Sequence, residues 1–160
     1  MEQALFREVR MKLFLDCEFN GFGGELISMA LVDEQENYFY EALACLEPIA
    51  WVKENVISQL NKIPVSQIEF QRKLSHFLRG YDTIHVIADW PEDLSLFTRA
   101  LITSPGSCMV TPPLMMALWI DNSIQVDSLA PHNALADAQA LRQAHMNYSA
   151  ITKPQKEHSK

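Results

Sequence analysis

Four acids fall on faces where a soluble chain gains nothing by placing charge. Asp16 and Glu18 lie two residues apart in the run Met11 to Phe19, whose composition reads as a β-strand, so both side chains leave one face. They follow Leu13-Phe14-Leu15, as a central strand would read. Two carboxylates on one buried face are costly to desolvate and repel each other. The bland alternative is an edge strand with one solvated face. Asp93 sits at helical spacing beside Leu96, Phe97 and Ala100, on the face that should point to a core. Asp137 shares a stripe with Ala134, Leu141, Ala144 and Tyr148, and His132 precedes it just after Pro131, where that helix starts. Asp89 and Glu92 read differently. With Pro91 between them they fit an N-cap and its partner three positions on.

Acids from three separate elements on buried faces need compensation, by protonation, arginine partners or metal ions. Arg99 and Arg142 fall on other faces of their helices, so divalent cations are the economical answer. All-oxygen ligands favour hard ions, Mg²⁺ or Mn²⁺, over zinc. Neither the cysteines nor His76, His85, His145 and His158 show ligand spacing that would reverse this.

The elements that must position these groups follow from changes of period along the chain. Residues 1–10 read as a short polar leader, with Met11 as an alternative start. One domain over 11–150 follows, then a polar tail, 151–160. Met11–Phe19, Glu25–Val32 and Tyr38–Leu43 read as three strands in a meander, broken by Asn20-Gly21, Gly23-Gly24 and the polar stretch Asp33–Asn37. Pro48–Leu60 reads as a helix with proline in its first turn. Val65–Leu78 reads as a second, with Ile68, Leu74, Phe77 and Leu78 towards one face. Thr83–Ala88 is a short apolar strand, and Asp89–Ile102 and Pro131–Tyr148 are helices. Ser104–Val126, with three prolines, fits neither period. This order predicts a mixed α/β layer fold.

Composition sets the outer bounds. A chain of 160 residues, 48% apolar and 21% charged, favours a single domain with a real core. Thirteen Lys+Arg against 20 Asp+Glu give a formal charge of −7, which argues against a protein that coats phosphates with a basic surface. An enzyme acting on nucleic acid stays open, because bound divalent metals supply positive charge locally. No run approaches a membrane span and no signal peptide is visible. Three cysteines without paired spacing point to a reduced, cytoplasmic protein.

These residues together resemble the DEDD superfamily of 3′-5′ exonucleases, in the subclass whose fifth residue is histidine. Relatives include ribonuclease T, oligoribonuclease and the proofreading exonuclease of bacterial replicases, and the chain looks most like the small mycobacterial-type exoribonuclease branch. The Asp-X-Glu motif matches Asp16-Cys17-Glu18, followed by Asn20-Gly21 where relatives often have Thr-Gly. The His-X4-Asp motif matches His132 to Asp137, with a family-like continuation Ala138-Gln139-Ala140-Leu141. The second motif matches Asp93, with Glu92 where an aromatic is usual; Asp89 is the competing position.

The resemblance spans about residues 11–150 and implies an RNase H-like fold, a mixed five-stranded sheet flanked by helices, with 104–126 holding the fifth strand or an inserted loop. It implies two divalent cations, Mg²⁺ or Mn²⁺, held by Asp16, Glu18, Asp93 and Asp137, with His132 as the base. Two-metal sites of this kind place the ions about 3.5–4 Å apart. The implied substrate is a nucleic acid with a free 3′ end, RNA ahead of DNA. Phe19, Asn20, Phe22 and Trp90 flank the ligands and are expected at the substrate, the aromatics stacking on bases; the alternative is that the aromatics pack the core. The rivals are a deoxyribonuclease with the same site and a non-catalytic binding module on the same fold. Relatives are often homodimers, and Leu114–Ile120 fits an interface as well as a core.

Overall fold

A computed structural model describes residues 10–152; nearly all of the expected leader and most of the tail lie outside the described residues. β1 (Met11–Phe19), β2 (Leu26–Asp33) and β3 (Tyr38–Ala42) form the antiparallel meander that their alternation predicts. α1 (Ala50–Asn55) and α2 (Gln67–Leu78) follow, then β4 (Ile84–Ala88) and α3 (Pro91–Ala100). A small hairpin, β5 (Ile102–Ser104) and β6 (Ser107–Cys108), leads to β7 (Leu114–Leu118) and α4 (Ala134–Thr152). β4 runs parallel to β1, and β7 parallel to β4. The main sheet is therefore mixed and five-stranded, in the order β3-β2-β1-β4-β7, with helices on its faces. The α/β expectation holds at that level, and the fifth strand does come from the 104–126 stretch.

β1 is the central strand, paired with β2 over residues 13–19 and with β4 over residues 11–14, so Asp16 and Glu18 lie just past the end of the β4 pairing. Alternation splits its side chains between two layers. Leu13, Leu15 and Cys17 pack with Phe70, Leu74 and Leu78 of α2 and Phe97 of α3. Phe14 faces the other way, towards Ile87 and Leu141 of α4, and Asp16 and Glu18 continue along that side. Ala30 and Val32 of β2 and Tyr40 of β3 meet Ala134 and Ala138 there. Burying each leucine stabilises by about 1.5–3 kcal/mol. Stripping water from an unpaired carboxylate costs several kcal/mol, so one such acid offsets a leucine neighbour or more.

Several boundaries differ from expectation, each for a local reason. The first helix begins at Ala50, not Pro48, and stops at Asn55, whose side-chain amide donates to the Trp51 carbonyl (2.8 Å) in competition with the next turn; Ile57–Gln59 is a 3-10 turn. α2 starts late because Val65 bridges to Leu43 and Ser66 caps the helix, its hydroxyl accepting from the Glu69 amide. Its buried residues are Phe70, Leu74 and Leu78, four apart. Ile68, two positions before Phe70, lies across the helix and is 81% exposed. α3 is capped by Trp90 in extended conformation, with Pro91 as its first residue, so Asp89 stands outside the helix and does not cap it. α4 begins at Ala134 and not Pro131, because His132 adopts a left-handed φ of 68° that a helix cannot include. Within the Leu114–Ile120 run, Leu114–Leu118 forms the sheet's outer edge, with Met115, Met116 and Leu118 half exposed, and Ile120, just past it, is half exposed too. No helix among the described residues is long and apolar enough to cross a membrane.

Candidate metal centre

β1 and β4 are adjacent and parallel, and α3 leaves directly from the end of β4. That connection delivers Asp89 and Asp93 to the end of β1 that carries Asp16 and Glu18, while α4 brings Asp137 across the same side. Oxygens of Asp16, Asp89 and Asp93 lie within 4.8 Å of one another, and so do those of Asp16, Glu18 and Asp137. Asp16 belongs to both triads. The four acids expected from sequence are thus brought together, and Asp89, the competing position, lies beside Asp93 at Asp16.

Asp93 is 2% exposed. One of its oxygens accepts from the Cys17 amide (3.3 Å), so the backbone of β1 fixes the side chain from α3. Its other oxygen, and Oδ2 of Asp16, are shut off from solvent with no hydrogen-bond partner. Oxygens of Glu18 and Asp137 lie within 4.8 Å of each other, and Asp137 Oδ2 accepts from the His132 amide (2.9 Å). No lysine, arginine or histidine forms an ion pair with any of the five acids among the described residues. Arg142 is spent elsewhere, donating to the Asp33 carbonyl and pairing with Glu36.

The electrostatic consequence is uniform in sign. Burial, followed by Asp93, Glu18, Asp137 and Asp89, raises the Asp16 carboxyl well above the ordinary range. Burial and then Asp137 push Glu18 up to about 8. Burial and then Asp89 push Asp93 up to about 8, against the pull of the Cys17 amide. Asp89 is raised as well, by burial first and Asp137 after it. A set of oxygen-only donors with orphaned buried atoms, mutual repulsion and no organic cation fits a hard divalent ion. The two triads would hold two such ions, sharing Asp16.

The surrounding residues sort themselves by exposure. His132 is exposed, and its ring meets Trp51 edge-on with centroids 4.9 Å apart. Phe22 is fully exposed at the tip of the turn 21–24, and Trp90 is 55% exposed, so neither packs a core. Phe19 is partly buried against the apolar layer under α2 and α3. Asn20 uses both ends of its amide on the loop before α1, donating to the Glu47 carbonyl (3.0 Å) and accepting from the Ile49 amide (2.9 Å). It shapes the approach to Trp51. Glu92 does not cap α3 either. One oxygen accepts from the Gly23 amide (2.9 Å) and the other from the Trp90 indole (3.2 Å), tying the glycine turn to α3. At Gly24 a Cβ would fall 2.0 Å from the Asn20 carbonyl oxygen, so only glycine closes that turn.

Sequence reasoning held Asp89 only as a competitor to Asp93, because the capping pattern with Glu92 accounted for it. Trp51 carried no signal, since only tertiary packing brings α1 beside residue 132. Compared with known proteins, the chain matches no protein-family model and no curated protein.

Proposed function

We propose that this chain is a metal-dependent 3′-5′ exonuclease of the DEDD histidine type, on an RNase H-like fold, acting on short or single-stranded RNA. The observation that carries the proposal is the pair of carboxylate triads joined at Asp16, with no ion-paired cation among the described residues to balance them. Divalent cations bound there supply charge neutralisation for a phosphodiester and lower the pKa of a coordinated water. Asp16, Asp89 and Asp93 would hold one, and Asp16, Glu18 and Asp137 the other.

The chain's own groups account for the remaining needs. His132 is the imidazole near the centre, a side chain suited to accepting and releasing a proton, and it is not required as a ligand. Its imidazole takes the proton of the attacking water and passes it to solvent, to which it is open. The His132 amide, donating to Asp137 Oδ2, ties the backbone of the proposed base to a proposed ligand. Phe22, Trp90 and Trp51 offer aromatic faces around the centre, which suits contacts indifferent to base identity. The preference for RNA over DNA follows the family resemblance. Three free thiols suit a reducing compartment such as the cytoplasm.

The test follows 5′-labelled single-stranded RNA and DNA with and without Mg²⁺ or Mn²⁺. Metal-dependent ladders shortening from the 3′ end, faster on RNA and lost in Asp16→Asn, are expected. No shortening of either strand in either metal would overturn the proposal and leave a binding module.

A further inference from the structure

Lysines and arginines are few in this chain, 13 in all, yet three of them line one cleft. The cleft, of about 330 Å³, lies at the β3 edge of the sheet, remote from β7, between β3 and α2. Tyr38, Tyr40 and Phe77 give it aromatic walls, and Lys62, Arg72 and Lys73 bring the charge. Glu41 is the one acid among the described residues that line it.

The walls are held from two sides. The Phe39 ring meets Phe70 (5.4 Å between centroids) and Phe77 (6.1 Å), which fixes α2 against β3. On the other side, the Tyr40 hydroxyl donates to the Leu60 carbonyl, and the Asn133 side chain donates to the Gln59 carbonyl (2.8 Å). Asn61 then turns the chain at a left-handed φ of 45°, and Lys62 follows with its Nζ 5.7 Å from the centre of the Tyr40 ring.

Charge in the cleft does not balance. Both ammonium groups reach the same oxygen of Glu41, Lys73 at 2.9 Å and Lys62 at 3.3 Å. The other oxygen, Oε2, is shut off from solvent with no hydrogen-bond partner. One buried carboxylate needs one ammonium for neutrality. Here it gathers two and holds them side by side against their repulsion, with the lysine side chains 34% and 35% exposed. Arg72 stands at the rim in a pair with Glu69 (2.7 Å), and an exposed pair of that kind is worth little in water. An anion arriving there can draw the guanidinium away. A chain of net charge −7 thus keeps an uncompensated positive charge in a cleft of fixed shape.

We infer that this cleft binds a phosphate group, with Lys62 and Lys73 as its partners and Arg72 closing from the rim. Several acceptor oxygens on one phosphate let it meet both ammonium groups at once, in charge-assisted hydrogen bonds. Two sources carry that chemistry: an internucleotide phosphate of a strand that reaches the carboxylate centre, or a free phosphate monoester. The ladder favours the first. Asp16 pairs with Ala30 and Ala30 with Tyr40, so the cleft begins two strand spacings, about 10 Å, from the centre. Phosphate recognition stands apart from the nuclease proposal, and its assignment to a strand rests on it.

Calorimetry of inorganic phosphate with the full chain in EDTA tests the site, because EDTA keeps metal ions out of the carboxylate centre. Binding by the parent is expected, roughly tenfold weaker in Lys62→Gln and lost when Lys73→Gln is added. Lys62→Arg, which keeps the charge, should restore most of the affinity. Arg99→Gln removes an exposed cation outside the cleft and should change nothing. No binding by the parent, or binding that survives the double substitution, would overturn the inference. Labelled RNA in Mn²⁺ then separates the sources. A several-fold higher KM in Lys62→Gln, with kcat kept and a shallower salt dependence, assigns the phosphate to the strand. An unchanged KM beside lost phosphate binding assigns it to a free monoester. Failure of the nuclease proposal leaves the EDTA result standing, since that arm needs no turnover.

Discussion

The molecule buries carboxylates in two regions and treats them in opposite ways. At the β2–β3 side, Asp33 is 1% exposed, yet one oxygen accepts from the Gln35 and Asn37 amides (2.8 and 2.9 Å) and the other from the Asn37 side chain and the Tyr81 hydroxyl. Nearby, Glu41 receives Lys73 at 2.9 Å and Lys62 at 3.3 Å. At the end of β1 the same chain gathers Asp16, Glu18, Asp89, Asp93 and Asp137 and provides no cation among the described residues. Compensation by lysines, turn amides and hydroxyls is thus within this sequence's means, and it is absent where the acids converge. A fold that tolerates such a cluster gives up stability for it. The withheld compensation is what the proposed function requires of a site that would take its positive charge from solution.

Exchanging charge for shape should produce the largest contrast. Asp16→Asn keeps the volume and removes the charge common to both triads. Divalent-ion uptake and nuclease activity should fall by more than about a hundredfold, since loss of even an outer-shell partner of a metal ligand costs up to that much. The metal-free variant should melt no lower than the parent. His132→Asn should lower the maximal rate by about 10²–10⁴ with Mn²⁺ affinity retained. Asparagine is the better probe than alanine because it tolerates the left-handed backbone at 132.

Stability should move in opposite directions in the two regions. Asp33→Ala leaves the turn amides and Tyr81 without an acceptor and should destabilise by about 2–3 kcal/mol, read by denaturant unfolding. Asp93→Asn should raise the melting temperature of the metal-free protein. pH should act through the same contrast. Folded Glu18 and Asp93, held up near 8, keep protons that the unfolded chain releases near 4. The folded state then binds more protons than the unfolded one between those values. Metal-free stability should therefore be greatest below about pH 4, as far as these groups decide it, fall through pH 4–8 and level off above. Added Mn²⁺ should raise the melting temperature more at pH 8 than at pH 5. The smallest effect belongs to Trp51: Trp51→Ala should cost a few-fold in rate, and Trp51→Phe should restore most of it by keeping a ring against His132.

The site was most legible where one periodicity decides a side chain's direction. Two residues along β1 return to the same face, so Asp16 and Glu18 could be paired from spacing alone. On α3 the three- and four-residue spacing put Asp93 beside Phe97 and Ala100, both of which are buried. Asp89 was misread because an acid, a proline and a glutamate imitate a capping box. A shift of one residue, with Trp90 at the cap, leaves the first acid outside the helix and beside Asp16 and Asp93. β7 was not legible because an apolar run of five after two prolines fits either a strand or a buried turn of helix, and its pairing with β4 is a long-range event. Ile68 looked like core and is exposed, since α2 spends its buried face on Phe70, Leu74 and Leu78.

Titrating Mn²⁺ into the metal-free protein and into Asp16→Asn at pH 7.5, by calorimetry, tests the centre most directly. Uptake of two ions by the parent, accompanied by a higher melting temperature and lost in the variant, is the predicted result. No uptake, or uptake that Asp16→Asn leaves intact, would contradict a metal centre built on these acids.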